Sequence, residues 1–78
     1  MKEITKQDCF DLKTKFDKYC ETAEQHQFPL LLMVNIKLDQ TLDDIKKSNQ
    51  LPSQETCRAM FRVVLKVIGE DCSAYEEK

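Results

Sequence analysis

Apolar residues recur at helical spacing over the first third of the chain. They step by three, four, three, one and three residues, and the set is Cys9, Leu12, Phe16, Tyr19, Cys20 and Ala23. This spacing keeps all six side chains on one stripe of a helix with 3.6 residues per turn. Thr5 followed by Asp8 matches a capping box, in which each side chain accepts a backbone hydrogen bond from the other residue. The pattern therefore predicts a first helix from about Lys6 to Gln25.

A turn is expected after this helix. Phe28 precedes Pro29, and the proline ring disfavours helical geometry in the residue before it. Gln25, His26 and Gln27 offer no apolar anchor that would prolong the helix. We therefore place the first turn between Gln25 and Phe28.

The segment that follows is compatible with either a helix or a strand. As a helix it begins at Pro29, and its apolar residues step by three, four, four and three: Leu31, Val34, Leu38, Leu42 and Ile45. As a strand, residues 34–39 alternate apolar and polar, and Thr41 with Asp44 forms a second capping box. A lone strand leaves its backbone groups unpaired, and the rest of the chain offers no good second strand. We favour the helix.

The pattern in the last third of the sequence predicts a helix with clear ends. Ser53 is placed to cap it, and its apolar stripe consists of Cys57, Met60, Phe61, Val64, Leu65 and Ile68. Gly69 can end this helix in a left-handed conformation. Residues 70–78 carry four acidic side chains and little apolar content, so we expect them to form an acidic, mobile, mostly solvated tail.

The composition supports a small helical protein. The chain has 78 residues, one glycine and two prolines, and tight hairpins usually need glycine or asparagine at positive φ. We therefore predict a single domain over residues 1–78, folded as an all-α three-helix bundle. The alternative is an α-β-α chain whose single strand at 30–38 pairs across a homodimer. No apolar run approaches the ~20 residues that cross a bilayer, and none resembles a secretion signal, so we expect a cytoplasmic protein without membrane contact.

The residues that could perform catalysis are scarce. His26 is the only histidine, and no serine or cysteine lies near it with an orienting carboxylate at a suggestive spacing. Gly69 follows a helix, whereas a phosphate-binding loop opens one. We therefore expect a protein that is not an enzyme and binds no cofactor.

The four cysteines are expected to be reduced and to bind no metal. They lie at positions 9, 20, 57 and 72, without the close pairs that mark zinc sites. Cys9 and Cys20 would lie about 16 Å apart along one helix and cannot pair. Because Cys72 falls in the acidic tail, it is the thiol we expect to be reactive.

Two surface features suggest binding. Arg58, Arg62 and Lys66 repeat every four residues and form a basic stripe on the last helix, although the net charge of −2 opposes binding to a polyanion. Apolar residues that point away from the predicted core stripes form the second feature: Phe10, Leu32, Met33 and Ile36. Three helices cannot bury both sides of the middle segment, so this surplus suggests self-association or a protein partner.

These features favour a non-catalytic protein-interaction module that binds a larger protein partner and modulates or inhibits it, with a homodimer as a further expectation. Adaptors, antitoxin or immunity proteins, and phage-type inhibitors of host defence systems are classes with such properties. The alternative is a small nucleic-acid-associated regulator that uses the basic stripe. A resemblance to a known family is not evident in the residues.

Overall fold

Three helices make up the structure, which is a computed structural model and describes residues 3–75. The helices are α1 (Lys6–Glu21), α2 (Phe28–Ser48) and α3 (Gln54–Val67), and short 3₁₀ turns occur at Gln25–Gln27 and Ser73–Tyr75. The fold is an all-α three-helix bundle, as predicted. Residues 30–38 lie wholly within α2, and the described residues contain no strand. The α-β-α alternative is therefore wrong.

The predicted capping box starts α1. The Thr5 amide donates to Asp8 Oδ2 at 2.9 Å, and the Asp8 amide donates to Thr5 Oγ1 at 3.1 Å. The helix ends at Glu21, which is four residues earlier than the apolar spacing suggested. It ends there because the Thr22 amide turns back to the Tyr19 carbonyl, and residues 25–27 form a separate 3₁₀ turn.

The expectation that Phe28 lies outside the helix is wrong. Its backbone is helical, with φ −55° and ψ −42°, and it is the first residue of α2. The 3₁₀ turn leads directly into the helix, since the Gln27 amide donates to the Glu24 carbonyl at 2.9 Å. The Gln27 side chain also donates to the Tyr19 hydroxyl at 2.8 Å, which ties the turn to α1. These local bonds outweigh the preference that Pro29 imposes on its neighbour.

One core joins the three helices. It is formed by the predicted stripes together with Ile4 and Cys72, and its α2 members are Leu31, Val34, Leu38, Leu42 and Ile45. Gln54 closes one end of this core, because its amide group both accepts from the Ile4 amide and donates to the Ile4 carbonyl, each at 2.8 Å. The starts of α1 and α3 are thereby held together.

The chain folds back after α3. Gly69 adopts φ 77°, in the left-handed region, and the Glu70 amide donates to the Leu65 carbonyl at 2.8 Å. Cys72 then enters the core with 8% of its surface exposed, and the Tyr75 ring packs 5.0 Å from the Phe61 ring. The other four described residues of this segment, at positions 70, 71, 73 and 74, are exposed. Residues 76–78 lie outside the described residues.

Candidate protein-binding surface

A cluster of exposed apolar side chains occupies the first half of α2. Its members, which we call the apolar patch, are between 50% and 70% exposed: Phe28, Leu30, Leu32, Met33 and Ile36. No charged residue occurs between positions 28 and 36. Large apolar side chains that lie singly on a surface are ordinary, but a contiguous group of this size is typical of an interaction site.

The phase of α2 places the patch in solvent. Each residue turns the helix by about 100°, so Met33 and Ile36 lie almost opposite the stripe that faces the core. The molecule is also thin, with extents of 34 × 32 × 16 Å. Since an α-helix with side chains is about 10–12 Å wide, α1 and α3 can cover only one side of α2.

Lys13 links α1 to α2. Its ammonium group bridges the two helices, lying 2.9 Å from Asp17 on α1 and 3.0 Å from Asp39 on α2, and it also donates to Asn35 Oδ1. Burial opposes the charge of Lys13, but the hydrogen bonds to Asp17 and Asp39 raise its pKa above the ordinary value. The cation therefore stays charged, and it joins the Asn35 and Asp39 positions of α2 to α1. The buried apolar stripe of α2 sets which face of the helix points inward.

Shallow apolar grooves lie on both sides of α2. The groove between α1 and α2 has a volume of about 630 Å³ and includes Cys20, Phe28 and Leu32, with Asp17 as its charged member. The groove between α2 and α3 has a volume of about 270 Å³ and includes Met60 and Val63, with Lys37 as its charged member. Phe28 and Leu32 of the patch line the first groove, whereas the second lies beside residues 34–41 and includes no member of the patch.

The structure brings together three of the four residues that the sequence suggested for partner binding. Leu32, Met33 and Ile36 belong to the patch, but Phe10 does not. Phe10 is half-buried against the core, and the Lys46 ammonium lies 5.7 Å from its ring centroid. Lys46 follows Ile36 by ten residues, or about 15 Å along the helix, so Phe10 lies far from the patch.

Sequence reasoning missed two members of the patch. The sequence pattern places Phe28 in the turn before Pro29, and it does not single out Leu30. Helical phase turns Leu30 about 100° away from Leu31 and so off the core face. Phe28 lies three residues before Leu31 and continues the stripe, so its exposure does not follow from the spacing.

The basic stripe is partly used inside the molecule. Arg62 is half-buried and donates to the Tyr75 carbonyl at 2.6 Å. Arg58 is also half-buried, and its Nε is enclosed without a hydrogen-bond partner among the described residues. Lys66 is exposed on the same helix. Two of the three cations are therefore poorly placed to reach phosphate groups on a ligand.

The cysteines form no disulfide within residues 3–75, and three of them are buried: Cys9, Cys57 and Cys72. Burial raises the pKa of the Cys9 thiol to about 12, and contact with Cys57 adds to this shift. Burial also raises the pKa of Cys57 and of the half-buried Cys20. Cys72, which the sequence places in the acidic tail and predicts as the reactive thiol, is 8% exposed because the chain folds back over the core.

His26, the single histidine of the chain, lies at the surface. His26 is exposed beside Glu24, with 3.2 Å between Nδ1 and the carboxylate. Residues 3–75 contain no group of three or more histidine, cysteine, aspartate or glutamate side chains placed to hold a metal ion. Within the same span, no helix is both long enough and apolar enough to cross a membrane.

Comparison of the chain with family models, with curated proteins and with solved structures finds no significant match. Its function has to be inferred from the apolar patch and the surrounding surface.

Proposed function

We propose that the chain is a non-catalytic protein-interaction module that binds a larger protein partner through the apolar patch. The supporting observation is the five large apolar side chains that stay at least half exposed on the uncharged start of α2. Covering them would remove apolar area from water, which is the dominant favourable term in most protein associations. A chain that binds in this way occupies a surface on its partner and thereby modulates or inhibits the partner. We place this interaction in the cytoplasm.

Three classes of protein fit this mode of action. Adaptors, antitoxin or immunity proteins, and phage-type inhibitors of host defence systems all work by occupying a surface, without a cofactor or catalytic residues of their own. A role as a nucleic-acid-associated regulator has less support, because Arg62 is engaged by the Tyr75 carbonyl and Arg58 is half-buried.

Affinity capture from the native host tests this proposal. The bait is the full chain, and the test variant carries Met33→Lys with Ile36→Glu, which places two charges in the patch without changing the net charge. We expect the variant to lose a partner that the wild type captures, because burying an unpaired charge in an apolar interface is unfavourable. Circular dichroism should show unchanged helix content, since both side chains are exposed.

The matched control carries Lys18→Glu with Glu21→Lys. It introduces the same two residue types at exposed positions of α1, again without a net charge change. This control should capture the same partner as the wild type. Equal capture by the patch variant would contradict the proposal. Capture that disappears with nuclease or falls steeply with salt would favour the nucleic-acid alternative.

A further inference from the structure

The chain folds back over α3 after Gly69, and we call residues 69–75 the strap. Gly69 has φ 77°, and a side chain added there would meet nothing within 4 Å. Glycine enters the left-handed region at little steric cost, whereas most other residues are strained there. Because Gly69 lies in open space and has no side chain to repack, the strap can turn there without disturbing α3.

The far end of the strap is attached to α3. The ring centroids of Tyr75 and Phe61 lie 5.0 Å apart, and the Arg62 guanidinium donates to the Tyr75 carbonyl at 2.6 Å. Between this end and the hinge, Cys72 is 8% exposed, whereas positions 70, 71, 73 and 74 are exposed. Cys72 and Tyr75 are thus the side chains that the strap turns toward the core.

A cavity separates the strap from α1. It has a volume of about 230 Å³, and its walls come from α1, from α3 and from the strap. The charged members of these walls are Asp8, Asp11 and Lys15 on α1 with Glu70 and Asp71 on the strap. The ion pair across the cavity joins Lys15 to Glu70 at 3.8 Å, and both side chains are about half exposed, so it adds little to the closed state. The strap is therefore packed on α3 but not on α1.

Hydrogen bonds within the strap give it a shape of its own. The Ser73 amide and hydroxyl donate to the two oxygens of the Asp71 carboxylate, at 2.9 and 3.1 Å. The Tyr75 amide donates to the Cys72 carbonyl at 3.0 Å. Both partners of each bond lie in the strap, so these bonds are kept when the strap leaves α3. The segment can therefore move as one unit.

We propose that the strap opens about Gly69 while the three helices stay folded, and that it acts as a cover over α3. Opening frees the Phe61 ring and joins Leu12, Phe61 and Leu65 in an apolar cleft that the closed strap hides. Partial openings of this kind cost less free energy than unfolding of the whole domain. This device goes beyond the proposed function and does not depend on it, since no residue of the apolar patch lines the cavity.

Alkylation of the full chain by N-ethylmaleimide tests the strap, because the buried thiols report on two different openings. Cys72 reacts when the strap opens, whereas Cys9 and Cys57, which are fully buried between helices, react only when the helices separate. Mass spectrometry of tryptic peptides resolves the sites, and each rate is divided by that of the same thiol in denaturant. We expect Cys72 to react at least about tenfold faster than Cys9 and Cys57. Equal rates at the three thiols would overturn the proposal.

Tyr75→Ala removes the ring contact at the far end of the strap. It should raise the rate at Cys72, relative to Cys9 and Cys57, at least about fivefold, because the closed strap loses an anchor that the helices do not need. Tyr19→Ala is the matched control, since Tyr19 is a half-buried tyrosine of α1 that does not line the cavity. It should leave the relative rate unchanged, and circular dichroism checks that both variants stay helical. An unchanged relative rate in Tyr75→Ala, or an equal rise in the control, contradicts the strap.

Discussion

Cys9 and Cys57 lie in contact inside the core, where the starts of α1 and α3 meet. Both positions could be predicted as buried, because each falls on the apolar stripe of its helix. The burial of Cys72 could not be predicted in this way, because it depends on the turn at Gly69 that brings the following segment back to the core. That segment carries few other apolar residues. A short polar segment gives no periodicity from which its packing can be inferred.

The buried Cys9 thiol makes stability depend on pH in the alkaline range. An unfolded thiol ionises near the ordinary pKa of 9.0, whereas the pKa of folded Cys9 is raised to about 12. Between these values the folded state holds a proton that the unfolded state has lost. Stability is therefore fully retained below pH 9 and falls as the pH rises toward 12.

Thermal melts of the wild type and of Cys9→Ala, recorded from pH 7 to about pH 11, measure this effect. We expect the melting temperature of the wild type to fall more steeply above pH 9 than that of the variant. All other side chains are the same in the two proteins, so the difference between their slopes reports on the Cys9 thiol. Equal slopes would show that the Cys9 thiol ionises as readily in the folded protein as in the unfolded chain.

At the scale of the helices, the apolar periodicity and the capping residues predict which helices form better than they predict where each helix ends. Ser53 caps α3 as expected, and its hydroxyl accepts from the Thr56 amide at 3.2 Å. The end of α1 was placed too late because Ala23 continues the apolar stripe although the helix stops at Glu21. The alternation over residues 34–39 fits both a strand and a helix, and only the lack of a partner strand separated the two. Helix ends depend on local bonds such as that from Gln27 to Tyr19, which spacing does not reveal.

The inward face of α3 gives the sharpest test of the helix assignments. Phe61 is 4% exposed and packs against Tyr75, so Phe61→Ala should lower the free energy of unfolding by about 2 to 5 kcal/mol. That loss is comparable to the whole stability expected of a domain this small. Val63→Ala, at an exposed position on the same helix, should change stability by no more than about 0.5 kcal/mol. Urea denaturation of both variants checks this, and similar midpoints would mean that the wrong face was placed inward.

At the scale of the whole molecule, the number of helices limits what can be buried. Three helices in an arrangement 16 Å thick leave one side of α2 uncovered. The uncharged segment of the sequence, residues 28–36, forms the first part of this helix. Leu32, Met33 and Ile36 could be predicted as exposed from helical phase. The position of Phe10 could not, because its cover comes from Lys46 on another helix.

Hydrogen–deuterium exchange on the captured complex tests the central claim, that the first half of α2 is the protein-binding surface. The amides of residues 28–36 should exchange more slowly in the complex than in the isolated chain, because burial of the patch suppresses local opening of that part of the helix. Residues 58–66 of α3, which carry the basic stripe, should exchange at the same rate in both. Protection confined to residues 58–66, with none in residues 28–36, would contradict the account.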